Sequence, residues 1–235
     1  MNFWAIVTAR RNSKSILRKN ITKIKNKELI KYSFDELKKV KELEKVIVST
    51  DDEKIKKITE KYKFNYFKRK KKLSGDLVNS VDVVVDVLDE AKNKFDMLPS
   101  FFLLIQPTSI FLKKKHIVSL INNLKTKKFS SAQTISKVPH QFHAYNQRHL
   151  DSKSKTFFVF QKERMKMHNK QTKPIFYSYG NLIATDAKKF LKKKNFFIKP
   201  SYGHVIERIY SFDLDNRHDL KVINQIIKKP IKSYE

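Results

Sequence analysis

The chain has no cysteine, three glycines and one tryptophan in 235 residues, and its acids are outnumbered by its bases, 23 to 52. Without cysteine there is no disulfide framework, no thiolate nucleophile and no cysteine-ligated metal centre. Long hydrophobic runs are also missing. The longest comparable stretch, Phe101–Ile105, is strand-sized, far from the roughly 20 apolar residues that span a membrane. The apolar patch at the N-terminus is too short for the core of a signal peptide, and its basic residues follow rather than precede it. These absences lead us to expect a soluble, cytoplasmic protein without a membrane partner.

What is present supports a packed core. Hydrophobic residues make up 40% of the chain, with 18 Phe and 9 Tyr, and the length suits a single domain over residues 1–235. The formal net charge of +29 invites a nucleic-acid reading. Nearly all of the excess is lysine, however, spread along the chain with abundant Asn, Ile and Phe. We read it as compositional bias acting on solvated surface, which leaves non-specific attraction to polyanions but no specific nucleic-acid partner.

Periodicity predicts alternating strands and helices. Residues 3–8, 46–48, 64–67, 101–105 and 132–135 read as strands, and a further strand is expected within 174–185. Helical stripes run through 29–40, 55–62, 80–94, 116–124 and 186–191, with Val81, Val84, Val85 and Leu88 expected on one face of the third. A last strand is expected near 209–214, followed by a closing helix. This alternation predicts an α/β fold built from βαβ units with a mostly parallel sheet. Residues 139–173 break the pattern and read as an arm or lid insertion, with a possible hairpin around 157–160. A loop fixes no ligand geometry for His140 and His143, and no acid lies near, so a metal is not expected there.

Ligands of open α/β sheets bind beyond the carboxyl ends of the strands, so the residues that follow each strand matter most. The first strand delivers the run from Ala9 to Asn20, with five positive side chains, two hydroxyls, two carboxamides and no acid. It lacks the Gly-x-x-x-x-Gly-Lys-Ser/Thr spacing of a P-loop, so any phosphate must be held by side chains. Ser49-Thr50-Asp51-Asp52 follows the second strand, Arg69 the third, with Asp76 and Ser80 beyond it, and Gln106-Pro107-Thr108-Ser109 the apolar fourth. On a strand Asp213 and Asp215 would point to one face and could share a divalent ion. Helix capping by Asp215, with Asp213 merely exposed, explains the spacing equally well.

Taken together, these segments resemble the acylneuraminate cytidylyltransferases, the CMP-sialic acid synthetases and their relatives for legionaminic and pseudaminic acids. The family pattern Ala-Arg-x-x-Ser-Lys-Gly-x-x-x-Lys-Asn stands here as Ala9-Arg10-Arg11-Asn12-Ser13-Lys14-Ser15-Ile16-Leu17-Arg18-Lys19-Asn20. Ser49 to Asp52, Arg69 with Leu73, Asp76 and Ser80, Gln106 to Ser109, and Asp213-Leu214-Asp215 with Asp219-Leu220 follow in family order. The resemblance implies a three-layer α/β/α nucleotidyltransferase of Rossmann-like form whose arm reaches a partner in a homodimer. It implies transfer of CMP from CTP to the anomeric hydroxyl of an N-acylneuraminate-type nonulosonic acid, with release of pyrophosphate. Arg10, Lys19, Asp213 and Asp215 would be catalytic. Arg10, Ser13, Lys14, Lys19, Asn20, Arg69 and Ser80 would bind CTP, Gln106 the sugar, and Asp213 with Asp215 a Mg²⁺ ion. Arg11 and Arg18 are expected to be surface charge. Three departures stand out: Ser15 replaces the glycine, Leu112 stands where the family commonly has arginine, and Gly180-Asn181 reverses the family's Asn-Gly. A nucleotidyltransferase for another sugar acid such as Kdo is the alternative, and a non-catalytic polyanion-binding protein a more distant one.

Overall fold

Phe3, Ala5 and Val7 alternate with Trp4 and Ile6 along the first strand, and all five are buried. Successive side chains of a strand point to opposite faces, so a strand apolar throughout must be covered on both sides. In the computed structural model, which describes residues 1–228, this strand, β1 (Phe3–Thr8), lies inside a seven-stranded sheet. Residues 229–235, the end of the expected domain, lie outside the described residues. The other strands are β2 (Leu43–Thr50), β3 (Asn65–Lys68), β4 (Phe101–Ile105), β5 (Ser131–Lys137), β6 (Tyr177–Asp186) and β7 (Ser201–Val205). Their order across the sheet is β7-β5-β6-β4-β1-β2-β3. Ala5 pairs with Val46 on one side and Leu103 on the other, both parallel.

Helices cover each face. Helices α1 (Leu29–Leu37), α2 (Glu53–Lys61) and α4 (Lys114–Lys125) bring Ile30, Phe34, Ile55, Ile58, Ile117, Leu120 and Ile121 against Phe3, Ala5, Val7, Val48 and Leu103. On the other face α3 (Ser80–Phe95) sets Val84, Val87, Leu88 and Ala91 against Trp4, Ile6, Ile47 and Phe102, which also meet Phe190 of α6 (Ala187–Lys193). The architecture is therefore three layers, α/β/α. A third apolar cluster sits at the rim, where Ile16, Ile24, Leu29, Phe111, Tyr210, Leu214 and Ile223 meet, the last from the closing helix α7 (Arg217–Ile226).

The sheet is mostly parallel, as expected; the details depart in four places. First, β6 runs antiparallel to both β4 and β5. Second, the last strand is Ser201–Val205 and not 209–214. Residues Arg208–Ser211 form a single 3-10 turn, and 212–215 are loop. Tyr210 and Leu214 are apolar because they fill the rim cluster, whereas β7 is a half-exposed edge strand whose Gly203 hides its alternation. Third, α3 buries Val83, Val84, Val87, Leu88 and Ala91, with Val81 and Val85 at the margin. Fourth, in the expected arm, the hairpin pairs Arg148–Leu150 with Thr156–Phe158, and Gln161–Lys166 is a short helix, α5.

Gly180 and Asn181 occupy an irregularity in the β5–β6 ladder between Tyr179 and Ile183. A Cβ at Gly180 would lie 2.6 Å from Thr134 Oγ1 and 2.9 Å from its carbonyl carbon, so only glycine fits. The Asn181 and Leu182 amides donate to that hydroxyl at 2.8 and 3.0 Å, and Asn181 Nδ2 donates to the Tyr210 carbonyl at 2.7 Å. The bulge thereby anchors the turn that leads to Asp213.

Beneath that turn, His116 of α4 is buried. Its Nδ1 accepts the Lys113 amide at 3.3 Å, and its ring meets the Tyr210 ring edge-on at 4.9 Å. Burial, and then Lys115, His204 and Lys113, push its pKa from 6.5 down to about 4. On unfolding the ordinary value returns, so between those two values the unfolded chain binds a proton that the folded chain refuses. The stability contributed by this group is complete above 6.5 and is lost as pH falls toward 4. Urea unfolding should show a loss on the order of 1–3 kcal/mol from this group between about pH 7 and about pH 4.5, and His116→Leu should flatten that slope.

Candidate active site

Strands β1, β2, β3 and β4 run parallel and deliver their following loops to one rim. A cleft of about 260 Å³ opens there, lined by Thr8, Arg10, Asn12, Ser13, Lys19, Asn20, Arg69, Gly75, Asp76, Val78, Ser80, Gln106, Pro107 and Thr108. A larger groove of about 790 Å³ lies at the opposite ends of the strands, between Met1, Lys92, Phe101, Phe129 and Lys189. That end does not receive the loops that follow the parallel strands, where ligands of such sheets bind.

The run after β1 is folded on itself. Asn20 Nδ2 donates to the Arg10 carbonyl at 2.9 Å, and the Lys19 amide to Ile16 at 3.1 Å, while Ile16 and Ile21 anchor it in apolar surroundings. Arg10 Nη1 reaches Asp76 at 2.9 Å and the Gly75 carbonyl at 2.7 Å. Lys14 stands outside the cleft, 3.5 Å from the other Asp76 oxygen. Left-handed backbone falls at Arg18, with φ of 52°, and not at Ser15, which is exposed. Serine in place of the family's glycine therefore carries no left-handed strain here.

Arg18 departs from the expected surface charge. Its Nη2 lies 2.9 and 2.8 Å from the two oxygens of Asp52, and Nε 3.2 Å from Oδ2. The Asp52 side chain is 1% exposed and also caps α2 by accepting the Lys54 and Ile55 amides. Burial pushes this carboxyl up, but the guanidinium and the two amides outweigh it and hold it below the usual carboxylate range. An ion pair to a buried, hydrogen-bonded carboxylate offsets the roughly 1–2 kcal/mol that left-handed backbone costs a residue other than glycine. Arg11 is exposed, and its amide donates to Asp51 Oδ1 at 2.6 Å.

Arg69 follows β3 and is buried, its amide bound to the Thr50 carbonyl and its Nε to that of Leu73. Burial lowers its pKa, opposed by Asp51, yet an arginine so placed stays cationic. Ser80 opens α3, capped by Asn79. Leu112, where the family commonly has arginine, is buried in the core.

Asp213 and Asp215 reach the rim from a loop, not a strand, so the shared-face argument from strand geometry does not hold. They line a separate open cavity of about 640 Å³ with Arg208, Ser211, Asn216 and Asp219. Their loop is docked on the Gln-Pro-Thr-Ser turn: the Leu214 amide donates to the Thr108 carbonyl at 3.1 Å and Ser109 Oγ to Asp213 at 3.2 Å. Lys19 Nζ donates to the Leu214 and Asp215 carbonyls, both at 3.0 Å. Burial pushes the Asp213 carboxyl up, the Thr108 hydroxyl opposes, and the neighbouring Asp215 carboxylate adds to the rise. Helix α7 is capped by Asn216, and Asp219 holds the Asp215 and Asn216 amides at 2.9 Å, so the cap is not Asp215. In the expected arm, His143 stacks on Phe176 and bonds the Pro174 carbonyl, which is packing.

The cytidylyltransferase family model matches residues 4–230. The chain belongs to this family. It is 27% identical over 230 residues to N-acylneuraminate cytidylyltransferase of Escherichia coli O18:K1:H7, covering 96% of this chain and 52% of that one. It is 25% identical to CMP-N,N'-diacetyllegionaminic acid synthase of Legionella pneumophila, covering 97% of each, and 26% identical to pseudaminic acid cytidylyltransferase of Campylobacter jejuni, covering 95% of each. The chain thus spans about half the length of the N-acylneuraminate enzymes it matches and nearly all of the other two. CMP:2-keto-3-deoxy-manno-octonic acid synthetase complexed with CTP has the same fold, with a TM-score of 0.70 at 11% identity over 97% of this chain and 99% of that one.

Asp215 pairs with Lys19 at 4.0 Å and Asp213 accepts the Ser109 hydroxyl, yet burial and the Asp215 charge still raise the Asp213 carboxyl. Replacing Asp213 by Asn should remove a burial and like-charge penalty of about 1 kcal/mol in metal-free protein and raise its melting temperature by about 2–4 °C. A lower melting temperature in chelator would contradict the electrostatic reading.

Proposed function

We propose that the chain transfers CMP from CTP to a nonulosonic acid of the N-acylneuraminate, legionaminate or pseudaminate type. The anomeric hydroxyl oxygen forms a bond to the α-phosphorus, the bond to the bridging oxygen breaks, pyrophosphate leaves with that electron pair, and the hydroxyl proton passes to solvent. The observation that carries this reading is the meeting of Arg10, Ser13, Lys19, Asn20, Arg69, Ser80 and Gln106 in one cleft, with the Asp213 loop tied to it through Lys19. Arg10 and Lys19 would hold the triphosphate, with Ser13 and Lys14 beside it. Asn20, Arg69 and Ser80 would meet ribose and cytosine, and Gln106 the sugar. Such chemistry relies on positioning and charge neutralisation rather than a covalent intermediate.

Among the described residues no group of three or more His, Cys, Asp or Glu could hold a metal. Two hard carboxylates, one of them raised by burial and by its neighbour's charge, nevertheless suit Mg²⁺, which commonly takes one or two protein carboxylates and completes its shell with phosphate oxygens and water. Asp213 and Asp215 would hold it, and it would neutralise charge on the phosphates. The arm would reach a second copy in a cytoplasmic homodimer. Its exposed Leu150, Phe157, Val159 and Phe160 support that reading.

A pyrophosphate-release assay with CTP, Mg²⁺ and a panel of sugar acids tests the proposal. Turnover is expected with a sialic, legionaminic or pseudaminic acid, falling by about a hundredfold or more in Asp213→Asn and Asp215→Asn. Turnover with Kdo alone would favour the alternative. A folded, CTP-binding protein that turns over no nonulosonic acid would sink the assignment.

A further inference from the structure

Ser49-Thr50-Asp51-Asp52 lies beside the cleft, yet none of its residues lines it. Its contacts run to the basic loop instead. The Ala9 amide donates to the Ser49 carbonyl at 3.0 Å and the Arg11 amide to Asp51 Oδ1 at 2.6 Å, which fixes the start of the loop. Asp52 grips Arg18 through both carboxylate oxygens, which fixes its end. The next residue, Lys19, sends its ammonium to the carbonyls of the Asp213–Asp215 loop. On the far side the Arg69 amide is held by the Thr50 carbonyl.

We propose that Asp52 and Arg18 are a positioning pair for CTP: the buried carboxylate clamps the guanidinium and thereby sets Lys19 at the triphosphate. The inference rests on the CTP reading. Helix capping alone is the competing role for Asp52, and the geometry separates the two. Asparagine caps a helix as well as aspartate, so Asp52→Asn keeps an oxygen for the Lys54 and Ile55 amides. It turns an amide donor toward the guanidinium, however, and the clamp opens. Arg18→Gln opens it from the other side without touching the cap.

The test is calorimetric titration of CTP with Mg²⁺ into the full chain, beside melting curves and steady-state kinetics. Asp52→Asn and Arg18→Gln should each weaken CTP binding about tenfold. The double variant should be no weaker than either single one, because the two side chains act as a unit. Arg18→Lys should recover part of the loss. KM for CTP should rise with kcat little changed, and the melting temperature of Asp52→Asn should fall by only about 2–8 °C, leaving the variant folded at the assay temperature. Glu53→Gln, an exposed acid in the first turn of the same helix, should bind CTP as the parent does. If the parent takes up no CTP, the nucleotide reading falls and this proposal with it. If the parent binds CTP while both single variants bind it equally well, or if their losses add, the clamp alone is overturned.

Discussion

One ammonium group ties the front of the chain to its end. Lys19 Nζ is hydrogen-bonded to two carbonyls of the loop that carries Asp213 and Asp215, 195 and 196 residues away. The same lysine lines the cleft with Arg10 and Arg69. Everything on the rim depends on where that group sits. The Thr108 carbonyl and Ser109 hydroxyl hold the late loop from below, and the Gly180–Asn181 bulge holds the turn before it through the Tyr210 carbonyl. Two carboxylates that repel each other are thus fixed beside a cluster of cations. Such an arrangement costs stability, and groups perturbed in this way cluster at functional sites.

The rim was legible in the sequence because each piece is a short polar signature at the end of an apolar strand. The run from Arg10 to Asn20, Arg69 and Gln106 could be named from position once the strands were placed, whereas Arg10 and Lys19 were singled out within that run by the family pattern. What was not legible came from packing between distant segments. Nothing local in Tyr177–Asp186 says that it enters the sheet antiparallel, and its neighbours β4 and β5 are far away in sequence. Residues 209–214 look like a strand because they are apolar, but their apolarity serves the rim cluster. Ser201–Val205 looks like loop because it is an edge strand with a glycine. Arg18 looked like one more surface cation in a chain full of them. Only the buried carboxylate of Asp52, 34 residues on, distinguishes it.

The lysine surplus also divides on structural grounds. Lys19 alone among the basic side chains of the first loop bonds the late loop, and its side chain is 13% exposed, whereas Lys14 is 80% exposed. A net charge of +29 therefore supplies a general field for anions, and a few buried or tethered cations supply the geometry. Relatives that share this family differ in the named sugar, and residues 139–173 are the part of the chain least like a regular βαβ unit.

The most direct measurement is a crystal structure of the chain with CTP. A triphosphate is expected against Arg10 and Lys19 at the carboxyl rim of β1, with the base toward Arg69 and Ser80. A nucleotide seated in the groove at the opposite end of the strands, between Lys92 and Lys189, would contradict that placement.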